Sequence, residues 1–298
     1  MLFSGGDGMH FEKVKGILSP TGNMNIYRGC THGCIYCDSR SVCYNMDHDF
    51  EDVLVKENAP LLLEKALKSR RSRCMVGMGS MADPYMHCEK QLLHTRKCLE
   101  IIDRYEFGFT LITKSDLVLR DLDLIKSINK KSKAVVQMTL TTFDEKLCSI
   151  LEPNVATTQQ RFEALMKLKD EGIPTVVWLC PVLPFINDTE ENLRGILDMC
   201  IQAGVKGIIC FGMGLTLREG NREYFYKKLD EHFPGMKQKY VDYFGNDYQC
   251  NSPDNAKLMK IFYETCRKHN IMYNPDDIFS YLHAFVDKNE ENQLSFFG

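Results

Sequence analysis

The amino-acid sequence predicts an α/β fold in which six parallel strands alternate with helices and curl into a full or partial barrel, followed by a helical C-terminal extension. Short apolar runs recur along the first two thirds of the chain, and amphipathic segments separate them. Strands that alternate with helices form βαβ units, whose right-handed crossovers curl a parallel sheet in one direction. From about Leu217 onward the chain becomes rich in Tyr, Phe, Lys and Asn, which marks the extension.

Six apolar runs predict the strands, in chain order Met24–Tyr27, Cys74–Met78, Phe109–Thr113, Ala134–Thr139, Pro174–Leu179 and Gly207–Phe211. Five amphipathic segments predict the helices between them, namely Ala59–Ser69, Gln91–Tyr105, Asp121–Asn129, Thr157–Glu171 and Thr189–Ala203. Each of these segments has apolar residues three and four positions apart, the spacing that places them on one face of a helix.

The last part of the chain predicts further helices around Arg222–Glu231 and Ala256–His269. We interpret the chain as an N-terminal segment over residues 1–22, a barrel over residues 23–216 and a helical extension packed on the barrel over residues 217–298. A small second domain is the alternative interpretation of the last part.

The composition is typical of a soluble globular protein: the 298 residues are 44% apolar and 26% charged, with a formal net charge of −3. No apolar run reaches the roughly 18 residues of a membrane span, and Met1 to Phe11 contain no apolar segment of the secretory kind. We therefore expect a cytoplasmic protein with no membrane partner. The weak negative balance gives no support for nucleic acid as a partner, which stays open as an alternative.

Three of the 13 cysteines form the strongest chemical signal in the sequence. Cys30, Cys34 and Cys37 follow the first predicted strand in a loop that contains Gly29 and Gly33, and glycines let such a loop turn so that three sulfurs converge. Without an export signal the thiols are expected to stay reduced. Three thiolates suit an iron–sulfur cluster, and since a cluster normally has four protein ligands, one iron would keep an open site.

Two alternatives stay open for this cysteine motif. The three cysteines together with His32 could bind zinc as a tetrahedral set, or the thiols could be buried or free without a metal. Cys250 and Cys266 could hold a second cluster, but the pair lacks a CxxC spacing.

Polar and sulfur-containing residues follow the predicted strands, at the end where the reactive groups of a parallel barrel cluster. The candidates are Ser80, Asp83 and Tyr85 after the second strand, Thr113 and Lys114 after the third, Thr139 and Thr141 at the fourth, Cys180 after the fifth, and Gly212, Met213 and Gly214 after the sixth. Each has a purely structural alternative, because threonine favours strands, Asp-Pro starts turns, lysine is common at exposed strand ends and cysteine often packs in cores.

The cysteine motif carries a specific resemblance. Cys30, Cys34 and Cys37, with Tyr36 directly before the last cysteine, form a pattern that resembles the CxxxCxΦC signature of the radical S-adenosylmethionine (SAM) superfamily. The resemblance spans about residues 23–211. It implies a partial (β/α)6 TIM-like barrel, a [4Fe–4S] cluster held by the three cysteines, and SAM bound to the fourth iron.

Further segments resemble the spore photoproduct lyase-like branch of that superfamily. They are Gly79–Tyr85, Thr113–Lys114, Thr139–Thr142, Leu151–Pro153 with Gln160–Phe162, Pro181–Pro184 and the closing Gln293–Phe297. The lyase itself uses a cysteine near the end of the second strand as hydrogen-atom donor, and Gly79–Tyr85 contains none. The resemblance therefore implies radical chemistry on a substrate that it does not identify, with DNA photolesion repair of the thymine-dimer type as the alternative.

The resemblance also implies roles for single residues. Tyr36 would pack near the adenine of SAM, and Lys114 would pair with the cofactor carboxylate or a ribose hydroxyl. Thr139 and Thr141 would hydrogen-bond the ribose, and Gly79 would let the backbone approach the methionine moiety.

Strand-end positions add four candidates to these. Ser80 and Asp83 are expected to contact the cofactor. Tyr85 is expected to relay a hydrogen atom to the substrate, and Cys180 is a second candidate catalytic residue.

The predicted function is therefore that of a radical SAM enzyme. It would take one electron from a low-potential donor such as ferredoxin or flavodoxin, cleave SAM to a 5′-deoxyadenosyl radical, and abstract hydrogen from an unidentified substrate. A zinc or iron–sulfur protein without catalysis is the alternative outside the enzymes. The extension from Leu217 is expected to cover the barrel opening.

Overall fold

The computed structural model describes residues 8–288 of the chain. Its strands are β1 Met9–Glu12, β2 Asn23–Met24, β3 Tyr27–Arg28, β4 Val53–Lys56, β5 Met75–Met78, β6 Gly108–Thr113, β7 Ala134–Thr139, β8 Thr175–Trp178, β9 Gly207–Ile209, β10 Gly214–Thr216 and β11 Gln249–Asn251. Its α-helices are α1 Ala59–Ser69, α2 Glu89–Leu92, α3 His94–Arg104, α4 Leu122–Lys131, α5 Glu145–Leu151, α6 Thr158–Asp170, α7 Glu190–Ala203, α8 Asn221–His232, α9 Met236–Phe244, α10 Asn255–Lys268 and α11 Pro275–His283.

The six predicted strands form one parallel sheet in the order β2-β5-β6-β7-β8-β9. Because each strand pairs with the next one along the chain, every connection returns over the same side and the sheet curls. In the part of the chain that the structure describes, β2 and β9 do not pair with each other, so the barrel is partial. The predicted fold class is confirmed.

Burial on both faces explains why these strands appear in the sequence as apolar runs. All six residues of β7 are buried, and so are all four of β5. Helices between the strands cover the outer face with their apolar sides; α3, for example, buries Cys98, Leu99 and Ile102 against the sheet. A parallel sheet requires such cover on both sides.

A second, three-stranded sheet lies beside the barrel, and the sequence did not indicate it. β4 is its centre, with β1 parallel on one side and β3 antiparallel on the other. The first predicted strand therefore splits: Met24 pairs with β5 in the barrel, while Tyr27 pairs with β4. Pairs of two residues are too short to leave a periodic pattern in the sequence.

The predicted helix Gln91–Tyr105 is also interrupted. It consists of α2 and α3, separated by Leu93, whose φ of 55° is left-handed and ends the first helix. Short α5 and the C-terminal α9 and α11 were not predicted.

The C-terminal part packs on the barrel. Phe262 and Cys266 of α10 belong to the main hydrophobic core, and Ile278 of α11 packs against Val176 and Ile209 of the sheet. β10 and β11 form a two-stranded antiparallel sheet, with α8 and α9 between them in the chain, which joins the end of the barrel to the extension. The boundaries at residues 22 and 216 stay predictions.

No helix within residues 8–288 is both long and apolar enough to cross a membrane. The closing Gln293–Phe297, which contributed to the branch resemblance, lies outside the described residues.

Candidate functional site

The cysteine motif occupies a loop that backbone hydrogen bonds fix on two sides. The Cys30 amide donates to the Phe50 carbonyl at 2.9 Å, and the Ile35 amide donates to the Leu151 carbonyl at 3.0 Å. The loop starts directly after β3 and ends at a short 3-10 helix, Asp38–Arg40. One side of the loop is thus hydrogen-bonded to the segment before β4, and the other side is hydrogen-bonded to the end of α5.

Two glycines make this path possible. Gly29 has a φ of +84°, and a Cβ there would lie 2.6 Å from the Phe50 carbonyl oxygen. Gly33 has a φ of +70° and lies against Pro153. Both positions combine a left-handed backbone with close packing, so glycine is required.

The three thiols share one electrostatic environment. Burial raises the pKa of Cys30 to about 12, with further contributions from Asp83 and Cys37. Burial also raises the pKa of Cys34, while Lys114 acts against it. Cys37 is half-buried and opens on the adjoining cavity.

The donor set fits an iron–sulfur cluster better than a single zinc ion. Zinc–sulfur bonds of about 2.3 Å in a tetrahedral site place the sulfurs roughly 3.8 Å apart. The motif cysteines, alone or with His32, do not form a set of donor atoms within 4.8 Å of one another in the described residues. His32 is buried, and its Nδ1 lies 3.4 Å from Asp83 Oδ2. Three thiols that interact without meeting at one point suit a larger centre.

A cavity of about 350 Å³ adjoins the loop at the carboxyl ends of the strands. Eight of the residues predicted from the sequence for the site line it, namely Tyr36, Cys37, Ser80, Lys114, Thr139, Cys180, Gly212 and Gly214. The loop and the strand-end residues therefore meet, as the barrel topology requires.

Lys114 lies deep in the protein but keeps part of its surface open to this cavity. Burial acts to lower its pKa, but Cys34 and Glu152, followed by Cys37 and Asp83, outweigh burial and hold the pKa above its ordinary value. The cavity thus contains a lysine that stays positively charged.

A buried ion pair lies behind the cavity wall. Arg161 and Glu152 have no exposed side-chain surface, and Arg161 Nη2 donates to Glu152 Oε2 at 2.5 Å. The Tyr36 hydroxyl donates to the same carboxylate, and Arg161 Nη1 donates to the Thr139 carbonyl at 2.8 Å. The pair therefore fixes two residues that line the cavity, Tyr36 and Thr139.

The comparison with protein families decides the identity. The model of the radical SAM superfamily matches residues 24–200, which is more than half of the chain. This chain belongs to the radical SAM superfamily. The resemblance predicted from the cysteine motif is thereby confirmed.

Several relatives of this radical SAM protein are known from sequence. An uncharacterised protein of Methanocaldococcus jannaschii is 36% identical over 169 residues, which are 56% of this chain and 62% of that protein. One of Acidianus two-tailed virus is 30% identical over 228 residues, 72% of this chain and 73% of its own length. One of Mycobacterium tuberculosis is 28% identical over 255 residues, 80% of this chain and 74% of the relative.

Solved structures support the fold of this radical SAM protein. Spore photoproduct lyase in complex with dinucleoside spore photoproduct matches with a TM-score of 0.62 and 14% identity, over 89% of this chain and 81% of that one. Streptococcus suis SuiB bound to its precursor peptide SuiA matches with a TM-score of 0.50 and 14% identity, over 85% and 48% of the chains. The likeness to spore photoproduct lyase is thus shown at the level of the fold.

In the radical SAM barrel, the Asp83 carboxylate is hydrogen-bonded to other groups of the protein. Its carboxylate accepts hydrogen bonds from Thr113 Oγ1 and from the Lys114 and Tyr85 amides, at 2.7 to 2.8 Å. It lies outside the cavity lining. Asp83 therefore fixes the backbone of Lys114 at the end of β6. Its carboxylate lies behind the wall of the cavity in which its contact with the cofactor was expected.

Gly79 and Thr141 also lie outside the cavity lining. A Cβ at Gly79, whose φ is +96°, would lie 2.3 Å from the Ile112 carbonyl oxygen, so glycine is needed for the neighbouring strand. Thr141 is buried, and its carbonyl accepts from Asn187 and Asn192. Their predicted contacts with the cofactor stay predictions.

Tyr85 requires a correction. Its side chain is only 1% exposed, its hydroxyl donates to Asp121 Oδ2 at 3.1 Å, and it does not line the cavity. The expected relay of a hydrogen atom by Tyr85 has no path to a substrate in this arrangement. Cys180, in contrast, lines the cavity, and burial raises its pKa to about 12, so it is a neutral thiol there.

Sequence reasoning missed part of the cavity wall. Trp178 at the end of β8 and the half-exposed Phe211 lie edge to face, 6.2 Å apart between ring centroids. Gln249 and Asn251 reach the cavity from β11. The strand-end rule could have found Trp178 and Phe211. The β11 residues carry no such signal, because they reach the cavity only through the long-range pairing of β11 with β10.

Proposed function

We propose that this enzyme binds a [4Fe–4S] cluster through Cys30, Cys34 and Cys37 and SAM in the adjoining cavity, and that it uses them to abstract hydrogen from a substrate held in the same cavity. The observation that carries the proposal is the meeting of the three-thiol loop and the charged Lys114 on one cavity of about 350 Å³. A cavity of this size is in the range of small-molecule sites.

When bound, the cluster and SAM would supply one-electron cleavage of a carbon–sulfur bond and the hydrogen-abstracting radical, which is the hard chemistry of the reaction. The chain would supply binding and orientation. Lys114 is proposed to bind the carboxylate of SAM or a ribose hydroxyl, because a retained ammonium inside a cavity is a strong partner for a carboxylate. The Ser80 and Thr139 side chains and the Tyr36 ring line the same cavity and are proposed to contact the rest of the cofactor.

The extension would exclude water from the site. Gln249 and Asn251 of the extension form part of the cavity wall beside Leu215 of β10, and Trp178 and Phe211 of the barrel add large apolar surfaces. A closed, apolar wall protects a reactive intermediate from side reactions. An electron donor of low potential, such as ferredoxin or flavodoxin, is proposed as the physiological reductant.

The substrate is proposed to be other than spore photoproduct. The lyase donor position falls in Gly79–Tyr85, which has no cysteine, whereas in this chain Cys180 is the cavity-lining thiol outside the cluster motif. Cys180 is proposed as a donor of a hydrogen atom from its neutral thiol. Incubation with ultraviolet-irradiated DNA tests the repair alternative, since repair would restore thymines.

The proposal is tested by anaerobic reconstitution of the cluster, addition of dithionite and SAM, and quantification of 5′-deoxyadenosine. Wild type is expected to form the product, and Cys34→Ala is expected to lose both product and iron. Cys43→Ala is the matched control, because Cys43 is exposed and lies outside the motif. A protein with full iron content and bound SAM that forms no 5′-deoxyadenosine, or a colourless protein that contains zinc in the motif, would contradict the proposal.

A further inference from the structure

A second group of metal-binding side chains lies outside the cysteine loop and the cavity. His10 on β1, and His48 and Asp52 on the segment before β4, bring one donor atom each to within 4.8 Å of one another. Within residues 8–288 this is the only group of three or more His, Cys, Asp or Glu residues that meets so closely. Nothing in the proposed reaction uses it.

Two ring nitrogens of this group are buried without a hydrogen bond. His10 Nδ1 and His48 Nε2 have almost no accessible surface, and neither has a hydrogen-bond partner among the described residues. His10 Nδ1 lies 3.1 Å from Asp52 Oδ1, but their orientation is not that of a hydrogen bond. His48 Nε2 is 4.0 Å from Asp47 Oδ1, which is too long for one. Buried polar atoms without partners are rare and call for a physical explanation.

The tautomer of His48 favours a metal ligand. Its Nδ1 lies 3.0 Å from the Asp49 carbonyl oxygen, which can only accept, so Nδ1 carries the proton and the lone pair of the neutral ring is on Nε2. Metal-binding histidines commonly donate their other ring nitrogen to a carbonyl in this way. The same carbonyl accepts from the Asp52 amide at 3.0 Å, so one turn orients both His48 and Asp52.

We propose that His10, His48 and Asp52 bind one divalent transition-metal ion of the zinc type. Two imidazole nitrogens and one carboxylate oxygen are ligands that such ions take, and three protein ligands leave a position for water. The His10 and Asp52 side chains are 40% and 38% exposed, so solvent reaches the group. A plain ion pair between His10 and Asp52 would leave the His48 Nε2 lone pair unexplained.

The ion would stabilise the loop of the cysteine motif. Phe50 lies between His48 and Asp52, and its carbonyl accepts the Cys30 amide and packs closely against Gly29. β1, which carries His10, pairs with β4 directly after Asp52. A metal ion would therefore link β1 to the segment before β4, which is hydrogen-bonded to the cysteine loop. This inference does not depend on the proposed reaction.

The experiment uses the full-length, cluster-loaded protein, dialysed against a small excess of Zn²⁺ and then against metal-free buffer. Metal analysis is expected to find one zinc per chain in wild type in addition to the iron. His48→Gln and Asp52→Asn are expected to lose that one equivalent. His269→Gln is the matched control, because His269 is exposed at the end of α10. Zinc on other cysteines would be equal in all four proteins and cancels in the comparison.

Thermal unfolding gives a second measurement. Added Zn²⁺ is expected to raise the midpoint of wild type and of His269→Gln, since a ligand that binds only the folded state stabilises it, and to leave both site variants unchanged. Full iron content and an unchanged circular dichroism spectrum establish that the variants fold. Equal zinc content in wild type and His48→Gln, or zinc that metal-free dialysis removes from wild type, would overturn the proposal and leave an ion pair of His10 with Asp52.

Discussion

Lys114 keeps a positive charge in a position where burial alone would favour its neutral form. Its anionic neighbours Glu152 and Asp83, with the thiols of the motif, reverse the effect of burial on the pKa. Asp83 also binds its backbone amide at 2.7 Å. A charged group that is positioned in this way and open to a cavity is suited to bind an anionic part of a ligand.

We predict that Lys114→Met weakens binding of SAM to the cluster-loaded protein about 10- to 100-fold. The reason is the loss of a charge-assisted hydrogen bond, worth about 1.5–3 kcal/mol. Equilibrium dialysis with SAM measures the effect. Lys130→Met, on the exposed face of α4, is the control and should bind as wild type does. Unchanged affinity in Lys114→Met at full iron content would remove Lys114 from the cofactor site.

Glu152 and Arg161 form the most deeply buried ion pair that the structure describes, with no exposed side-chain surface on either partner. Burial acts to raise the pKa of Glu152, but Arg161, Lys114 and the Tyr36 hydroxyl outweigh it, so the carboxylate stays charged. The pair matters because its two ends fix Tyr36 and Thr139 in the cavity wall.

Glu152→Gln is expected to lower the free energy of unfolding by about 3–5 kcal/mol, because it leaves the Arg161 charge buried without a partner. Urea unfolding followed by circular dichroism measures this. Glu171→Gln removes a partly exposed partner of Lys126 and should have a far smaller effect. If both variants lost the same small free energy of unfolding, the buried ion pair would not contribute to stability as its geometry implies.

Helix α6 begins with a complete capping box. The Thr157 hydroxyl accepts from the Gln160 amide at 3.2 Å, and the Gln160 side chain accepts from the Thr157 amide at 2.8 Å. These bonds satisfy two amides that a helix start leaves without partners. α6 carries Arg161, so its start also determines where the buried ion pair lies.

Thr157→Ala should lower the free energy of unfolding by about 1 kcal/mol, the usual effect of a lost N-cap. Thr157→Ser keeps the hydroxyl and should stay close to wild type. Chemical unfolding of the three proteins side by side makes the comparison. An alanine variant as stable as the serine variant would show that the cap is not needed here.

Strand β5 is followed directly by Gly79, where the close approach of β6 requires a glycine. Gly79→Ala would place a methyl group 2.3 Å from the Ile112 carbonyl at a φ of +96°, and we expect a loss of at least about 1–3 kcal/mol in stability. Gly16→Ala is the control, since no atom lies within 4 Å of a Cβ there. The midpoints of thermal unfolding of the two variants measure this loss. Equal midpoints would show that the close contact between Gly79 and the Ile112 carbonyl does not affect stability.

The extension and the cysteine loop share one hydrophobic cluster, so the packing of the extension supports the loop. Phe225 of α8 is completely buried in a cluster that includes Tyr240 of α9 and both Ile35 and Tyr36 of the loop. Its ring lies 5.4 Å from the Tyr240 ring. Loosening the extension should therefore loosen the loop.

We expect Phe225→Ala to lower the free energy of unfolding by about 3–5 kcal/mol, the effect of an emptied aromatic site in a core. The variant should also retain less iron after reconstitution, because the loop has lost part of its support. Tyr243→Ala changes a ring that is 57% exposed and serves as the control. Wild-type iron retention in a destabilised Phe225→Ala would show that the loop is stable without the extension.

The sequence by itself determined the six-stranded sheet, the helices that cover it and the cysteine loop. These features are local: a strand buried on both faces appears as an apolar run, an amphipathic helix has its own period, and three cysteines within eight residues need little of the rest of the chain to meet. The strand-end rule added Lys114, Thr139, Ser80 and Cys180, because the parallel topology places such positions on one side of the barrel.

Only the tertiary structure decided what distant segments do together. Glu152 lies 116 positions from Tyr36, with which it shares a hydrogen bond, and the group of His10, His48 and Asp52 forms only when β1 pairs with β4. The strand-end rule gave Tyr85 and Asp83 the same weight as Lys114, although their side chains point to other protein groups. Spacing along the chain indicates which residues come near a site, but the direction of each side chain depends on partners that only the folded chain brings together.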